Sequence, residues 1–209
     1  MTSHKADRYG TSNRSRRIFD VVVAAVGLIA SSPFMAISAV AVRVSSPGPI
    51  LHRAQRVGLH GTHFTLLKFR TMVVGAASQG PGITAGSDAR ITRVGRLLRR
   101  SKLDELPQLW NVLVGDMSIV GPRPEDERYV ITYTPEQMRV LDAKPGITGP
   151  ASVEYRDEES ILAAADDLDV AYARVMAEKL DIDIAYLERR TLWSDIGLIV
   201  ATAKAVFNR

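Results

Sequence analysis

Hydrophobic and polar positions are spread very unevenly along this chain. From Val21 to Val42 there is no charged residue, and alanine, valine, isoleucine and leucine dominate the run. A helix of that length reaches roughly 33 Å at about 1.5 Å per residue, enough to cross a bilayer core. Ser31-Ser32-Pro33 lies near the middle, where proline removes a backbone donor and clashes with the preceding turn. Each arm is then roughly 16–18 Å long, too short to span alone. Arg14, Arg16 and Arg17 precede the run, and Arg43, Arg53 and Arg56 follow it. Basic flanks on both sides give a span no orientation but are satisfied if both ends stay in the cytoplasm. The pattern therefore predicts a bent, re-entrant helical hairpin over residues 18–42, broken at Ser32 and Pro33. A kinked transmembrane span is the alternative. A cleaved signal peptide is a third reading, because basic residues, an apolar run and Ala39-Val40-Ala41 imitate its three parts.

Residues 1–15 are polar and aperiodic and read as a mobile tail, leaving 16–209 as one domain. Ser46-Pro47-Gly48-Pro49 is a turn. Two strand-like runs, 50–57 and 62–72, flank Gly58-Leu59-His60-Gly61 and predict a β-hairpin. Alternation puts Phe64, Leu66, Lys68 and Arg70 on one face of the second strand. Lys68 and Arg70 would then reach one phosphate together, or simply protect a sheet edge with charge. Residues 75–89 read as a flexible loop; Gly80-Pro81-Gly82 is not followed by the Gly-Lys-Ser/Thr of a P-loop. Ile91, Val94, Leu97 and Leu98 alternate with arginines in a basic amphipathic helix suited to an anionic membrane surface. Leu106, Leu109, Trp110 and Leu113 recur at helical spacing, as core or as an interfacial face with Trp110 at headgroup level. Residues 144–150 form a rigid glycine-punctuated loop and the acidic stretch 154–169 a solvated face. A mostly polar helix follows at 170–190, and an apolar-leaning one at 192–207. The fold expected is α+β and mainly helical, with amphipathic helices on the membrane surface.

Composition narrows the chemistry. The 209 residues include no cysteine, which excludes disulfides, thiolate metal sites and cysteine nucleophiles. His4, His52, His60 and His63 show no metal-ligand spacing. The net charge of +4 conceals a basic first hundred residues, net +12, and an acidic remainder, net −8. A basic half invites phosphate-rich partners. Nucleic acid has little support among them, since no nucleic-acid fold signature or aromatic-rich strand is present.

The candidate chemistry lies in Ser101–Glu125. Adjacent carboxylates, Asp104 and Glu105, lead into an apolar helical segment that closes on Pro122-Arg123-Pro124. A reactive polar pair, an apolar helix and a rigidly presented guanidinium point to a phosphate-handling site beside an apolar surface. The competing reading makes Asp104 a helix cap, with Ser101-x-x-Asp104 as a capping box.

Taken together, RRIFD at 16–20, SPGP at 46–49, QRVGLHG at 55–61, KFRTM at 68–72, the block from Asp88 to Glu125 and KPGITG at 144–149 resemble the bacterial sugar transferases, the monotopic phosphoglycosyl transferases. The chain resembles the small form consisting of the catalytic unit alone. The resemblance implies transfer of a phosphosugar from a UDP-sugar to polyprenol phosphate, with release of UMP and a requirement for Mg²⁺. Such a step starts a membrane-linked glycan: exopolysaccharide, O-antigen, capsule or a glycoprotein glycan. It implies Asp104 as nucleophile and metal ligand, Glu105 as its partner, and Arg99 and Arg123 at phosphate-binding positions. It places Ser32 and Pro33 at the break of the membrane helix. The site would sit at the cytoplasmic face of the bacterial inner membrane, with lipid, UDP-sugar and polyprenol phosphate as partners and self-association into a homodimer left open. The opposing class is a non-enzymatic scaffold that binds anionic lipid through the basic half.

Overall fold

The structure is a computed structural model that describes residues 14–76 and 88–207. The tail expected over residues 1–15 falls outside them except for its last two residues, which are already helical. Most of the loop expected over 75–89 also lies outside the described residues.

Helix α1, Arg14–Ser45, takes up the whole apolar run as one element, with Pro33 inside it. It is not divided into two helices at the Ser-Pro pair. Proline at position 33 has no N–H to give to the carbonyl four residues earlier, that of Ile29. The Ser32 hydroxyl donates to that same oxygen at 2.8 Å. Serine therefore supplies the bond that proline removes, and the helix continues through both. One face of α1, carrying Ile18, Val22, Val26, Ile29, Phe34, Ile37, Val40 and Val44, is exposed along its entire length. The other face meets the rest of the chain at both ends.

Near the N-terminal end, Arg17 donates to the carbonyls of Val112 and Leu113, and Asp20 accepts from the Ser118 hydroxyl and the Ile119 N–H, both at 3.0 Å. Arg16 pairs with the buried Asp195. Midway along, Gly27 leaves room for Leu109. At the far end, Val42 packs with Phe69 and Leu98.

The hairpin forms as expected: β1, Leu51–Val57, pairs antiparallel with β2, His63–Phe69, in a register that sets Ala54 opposite Leu66. Phe64 and Leu66 are buried on one face of β2. Helix α2 spans Arg93–Ser101, capped by the Thr92 side chain, which accepts from Gly95 N. A 3-10 turn, Leu103–Glu105, leads to α3, Gln108–Val114. Asn111, almost fully buried, docks α3 on the hairpin: its side chain accepts from Leu67 N at 3.0 Å and donates to Thr65 O at 2.8 Å. The outer edge of β2 is thereby covered and satisfied.

Two three-residue strands, β3 at Ser118–Val120 and β4 at Gly146–Thr148, pair in parallel. The rigid loop expected over 144–150 is in part this strand, and the backbones approach closely. A side chain at Gly146 would stand 2.1 Å from Gly121 N, and one at Gly121 2.4 Å from Lys144 O. The C-terminal half contributes α4 (Glu127–Val130), α5 (Pro150–Glu154), α6 (Glu158–Ala163), α7 (Leu168–Arg189) and α8 (Leu192–Phe207). Helix α7 buries Val175, Met176, Leu180, Ile184 and Leu187 but carries Lys179 and Asp183 in the same stripe. The main core joins α1, the hairpin, α3 and β3 around Ala24, Leu66, Val112 and Met117.

Candidate active site

A cleft of about 740 Å³ opens where the hairpin, α2, the 3-10 turn and the C-terminal helices meet. Asp104 and Glu105 line it, as do Lys68, Arg96, Arg99, Arg100, Lys102 and Arg123. Each reaches the cleft for a local reason. Lys68 follows Leu66 on the inward face of β2. Arg99 lies on α2, where its Nε donates to Thr71 Oγ1 at 3.0 Å. Asp104 and Glu105 sit in the 3-10 turn, set up by Lys102 in the left-handed region with φ 58°. A non-glycine residue there is uncommon and costs backbone energy.

Charge is arranged asymmetrically within the carboxylate pair. Burial, and then the charge of Glu105, raise the pKa of Asp104, while Lys68, Lys102 and Arg99 pull it back. Burial also pushes Glu105 up, but Arg123, Lys102 and Lys68 together outweigh it and hold this carboxyl below its ordinary range. Arg123 Nη1 lies 3.7 Å from Glu105 Oε1. Lys68 is lowered to about 8 by burial and by Arg123, against the pull of Glu105 and Asp104. The two carboxyls are thus biased in opposite directions, Glu105 toward its ionised form by Arg123 and Asp104 away from it by burial.

Asp104 Oδ1 is buried and has no hydrogen-bond partner. The competing reading of Asp104 as a helix cap does not hold: α3 begins at Gln108 with Pro107 as its N-cap and no side-chain cap, and Ser101 Oγ donates to Leu97 O at 2.9 Å. Asp104 therefore lines the cleft with one carboxylate oxygen buried and unpaired, and caps no helix.

Arg70 departs from its expected place. Strand β2 ends at Phe69, so alternation no longer governs the next residue. Its guanidinium turns back and donates to Ser46 O at 2.7 Å and Pro47 O at 3.0 Å, holding the turn after α1. Arg70 braces the end of α1 and is not on the cleft wall.

Several cleft residues were not anticipated. Ser152, Tyr155, Arg156, Asp157, Glu158 and Lys179 line it from α5, α6, the turn between them and α7. The acidic stretch is therefore partly a wall of the cleft. Its link to Lys179 crosses 21 positions and follows no short motif.

The chain matches the family model for bacterial sugar transferases over residues 11–209. It is 37% identical over 196 residues to a UDP-glucose:undecaprenyl-phosphate glucose-1-phosphate transferase of Caulobacter vibrioides, covering 91% of this chain and 69% of that protein. It is 40% identical over 201 residues to the enzyme of the same name from Xanthomonas campestris, covering 93% of this chain and 39% of the relative. A UDP-N-acetylgalactosamine-undecaprenyl-phosphate N-acetylgalactosaminephosphotransferase of Aeromonas hydrophila is 34% identical over 194 residues, across 91% of this chain and 43% of its own length. The chain thus spans about two thirds of the first of these relatives and about two fifths of the other two.

Proposed function

The chain belongs to the bacterial sugar transferases, and from that premise we propose that it moves a sugar phosphate from a UDP-sugar to polyprenol phosphate at a membrane. The observation that carries the reading is the convergence of Asp104 and Glu105 with Lys68, Arg99 and Arg123 in one cleft. A diphosphate between those cations is neutralised and oriented, as phosphoryl transfer requires.

In the first half-reaction a carboxylate oxygen of Asp104 attacks the sugar-bearing phosphorus. The phosphorus–oxygen bond to the UMP phosphate breaks, and UMP leaves with that bond's electron pair. Lys68, Lys102 and Arg99 favour the ionised form of Asp104, opposing its burial. In the second, an oxygen of polyprenol phosphate attacks the same phosphorus and the Asp104 carboxylate is released. Glu105, already ionised against Arg123, positions that guanidinium. The flanking prolines hold the backbone at Arg123 before substrate binds.

A divalent cation suits this donor set. Among the described residues no group of three metal-binding side chains occurs. Mg²⁺ takes one or two carboxylates and completes its shell with substrate phosphates and water. Asp104, which lines the cleft, would be the residue that holds Mg²⁺. When bound, the ion supplies charge neutralisation.

The same reading embeds α1 in one leaflet, re-entrant, so that both of its ends face the cytoplasm and the cleft lies at headgroup level of the inner membrane. Its continuous exposed apolar stripe supports embedding, since a patch of that size is costly in water.

The test uses the chain in detergent with UDP-sugar and Mg²⁺ but no lipid. UMP should be released to about one equivalent, with label from the sugar phosphate retained on the protein. Asp104→Asn should abolish both signals. UMP release that strictly needs lipid, or near-normal turnover of Asp104→Asn, removes Asp104 from this role. Release of no UMP from any UDP-sugar with lipid present favours the scaffold.

A further inference from the structure

The cleft wall contributed by α5, α6 and α7 differs in chemistry from the cationic side. Glu158 at the start of α6 accepts from Lys179 Nζ with both carboxylate oxygens, at 3.1 and 3.0 Å. The two side chains are 24% and 10% exposed, and both line the cleft. Glu158 is close enough to raise the pKa of Arg123, so the pair lies within electrostatic reach of the phosphate-binding end.

Stability alone gives little reason for the pair. Lys179 occupies a buried stripe of α7 that holds Val175, Met176, Leu180, Ile184 and Leu187 and one other polar residue, Asp183, so it must be largely desolvated there. Well-packed apolar residues at such positions are as stabilising as a buried ion pair, or more so. What the ion pair adds is hydrogen-bonding capacity on the cleft wall. The ammonium has a third proton beyond the two given to Glu158, and the carboxylate retains lone pairs. The pair is neutral as a unit and so does not select an anion. A donor beside acceptors matches neighbouring hydroxyls, each of which both gives and takes a hydrogen bond. Ser152, Tyr155 and Ser160 extend the same polar surface.

We propose that Glu158 and Lys179 form a hydroxyl-recognition subsite that grips a vicinal diol of the nucleotide sugar. The proposal rests on the transferase reading above. Vicinal hydroxyls occur on the transferred hexose and on the ribose of the nucleotide, and these two sources are separable by experiment.

The variants are Glu158→Gln, Lys179→Met and the charge-reversed double variant Glu158→Lys/Lys179→Glu. The double variant keeps an ion pair between α6 and α7 while exchanging the positions of donor and acceptor. Each is assayed for kcat/KM with UDP-glucose, UDP-galactose and UDP-N-acetylgalactosamine, for UMP binding by calorimetry, and for Tm. The expected result is a loss of roughly 10- to 100-fold in kcat/KM for all three variants, with the double variant's Tm restored to wild type. If the diol belongs to the hexose, UMP affinity is unchanged and the preference among the three sugars shifts. If it belongs to the ribose, UMP affinity falls by the same factor for every variant and sugar preference is kept. Either pattern supports the subsite. Recovery of kcat/KM together with Tm in the double variant makes the pair a structural clamp and overturns the proposal. So does unchanged kcat/KM in Glu158→Gln. Failure of the wild-type chain to bind UMP or turn over any UDP-sugar overturns the transferase reading instead.

Discussion

Asp104, Glu105, Arg99 and Arg123 come from one continuous block, and Lys68 from the inward face of a legible strand; all five line one cleft. Local sequence sufficed because the 3-10 turn and α2 present those side chains directly. Glu158 and Lys179 were illegible, because each resembles an ordinary surface charge until α6 folds on α7. Asp183 was missed for the same reason. It is nearly fully buried, and burial lifts its carboxyl from the ordinary aspartate value to about 7. Ala151 N–H, donating at 3.3 Å, and Lys179 oppose the shift, while Glu125 adds to it. The folded protein thus binds this proton more tightly than the unfolded chain. The resulting stability is fully present below about pH 4 and is lost as the pH rises through about 7. Melting in detergent should show the wild type less stable at pH 8 than at pH 5, with on the order of 2 kcal/mol traceable to this group. Asp183→Asn can still accept from Ala151 but cannot ionise, so it should flatten that part of the profile and raise Tm at pH 8. An unchanged pH profile in Asp183→Asn would refute the assignment.

Elements were readable where one run of sequence makes one element. The apolar run gives α1, glycine-separated strands give the hairpin, and the last apolar-leaning stretch gives α8. The parallel pairing of β3 with β4 was not readable: each strand has three residues, and Gly146 after Pro145 looks like a loop. Its specificity lies in close backbone approach at Gly121 and Gly146, a contact between segments far apart in the chain. Helix α7 looked polar because Lys179 and Asp183 interrupt its buried stripe. The contact of α2 with the hairpin is of the same hidden kind. A side chain at Gly95 would stand 2.0 Å from Thr71 O, backbone against backbone. In an isolated helix Gly→Ala gains about 1 kcal/mol. Here Gly95→Ala should reverse that sign, because α2 must move off Thr71, and Arg99 with it, losing its bond to Thr71 Oγ1. The expected outcome is a lower Tm and a drop in kcat/KM of more than tenfold. A Tm equal to or above wild type would show that the two elements separate at no cost.

On the scale of the whole molecule, the proposed membrane placement turns on how α1 is attached to the body that carries the cleft. Its first turns are fixed to α3, β3 and α8 through Arg17, Asp20 and the Arg16–Asp195 pair. Its last turn is fixed to β2 and α2 through Val42, and the turn beyond it through Arg70. A helix perpendicular to a bilayer, with this polar body on one side, cannot keep both ends against that body. The proposed one-leaflet path, in which both ends of α1 return to the same face, is compatible with both attachments at once. The Ser32–Ile29 hydrogen bond makes such a path tolerable, since it satisfies a carbonyl that would otherwise be bare in lipid. The chain has no cysteine, so single cysteines can report each side cleanly. In sealed spheroplasts, Ser3→Cys and Thr62→Cys should both resist a membrane-impermeant maleimide and both react after lysis. Labelling of Ser3→Cys from outside, with Thr62→Cys labelled only after lysis, would make α1 a span and require one set of its contacts to be absent in the membrane. Replacing Ser32 and Pro33 by alanine and leucine removes a helix-interior penalty of about 3 kcal/mol and favours a straight span. If the Ser-Pro pair sets the path, the N-terminus of that variant should become reactive from outside and activity should fall. If the attachments at both ends set it, topology should stay as in wild type until Arg17→Ala and Asp20→Ala are added. The order in which the N-terminus changes sides thus separates the helix's own geometry from its anchorage.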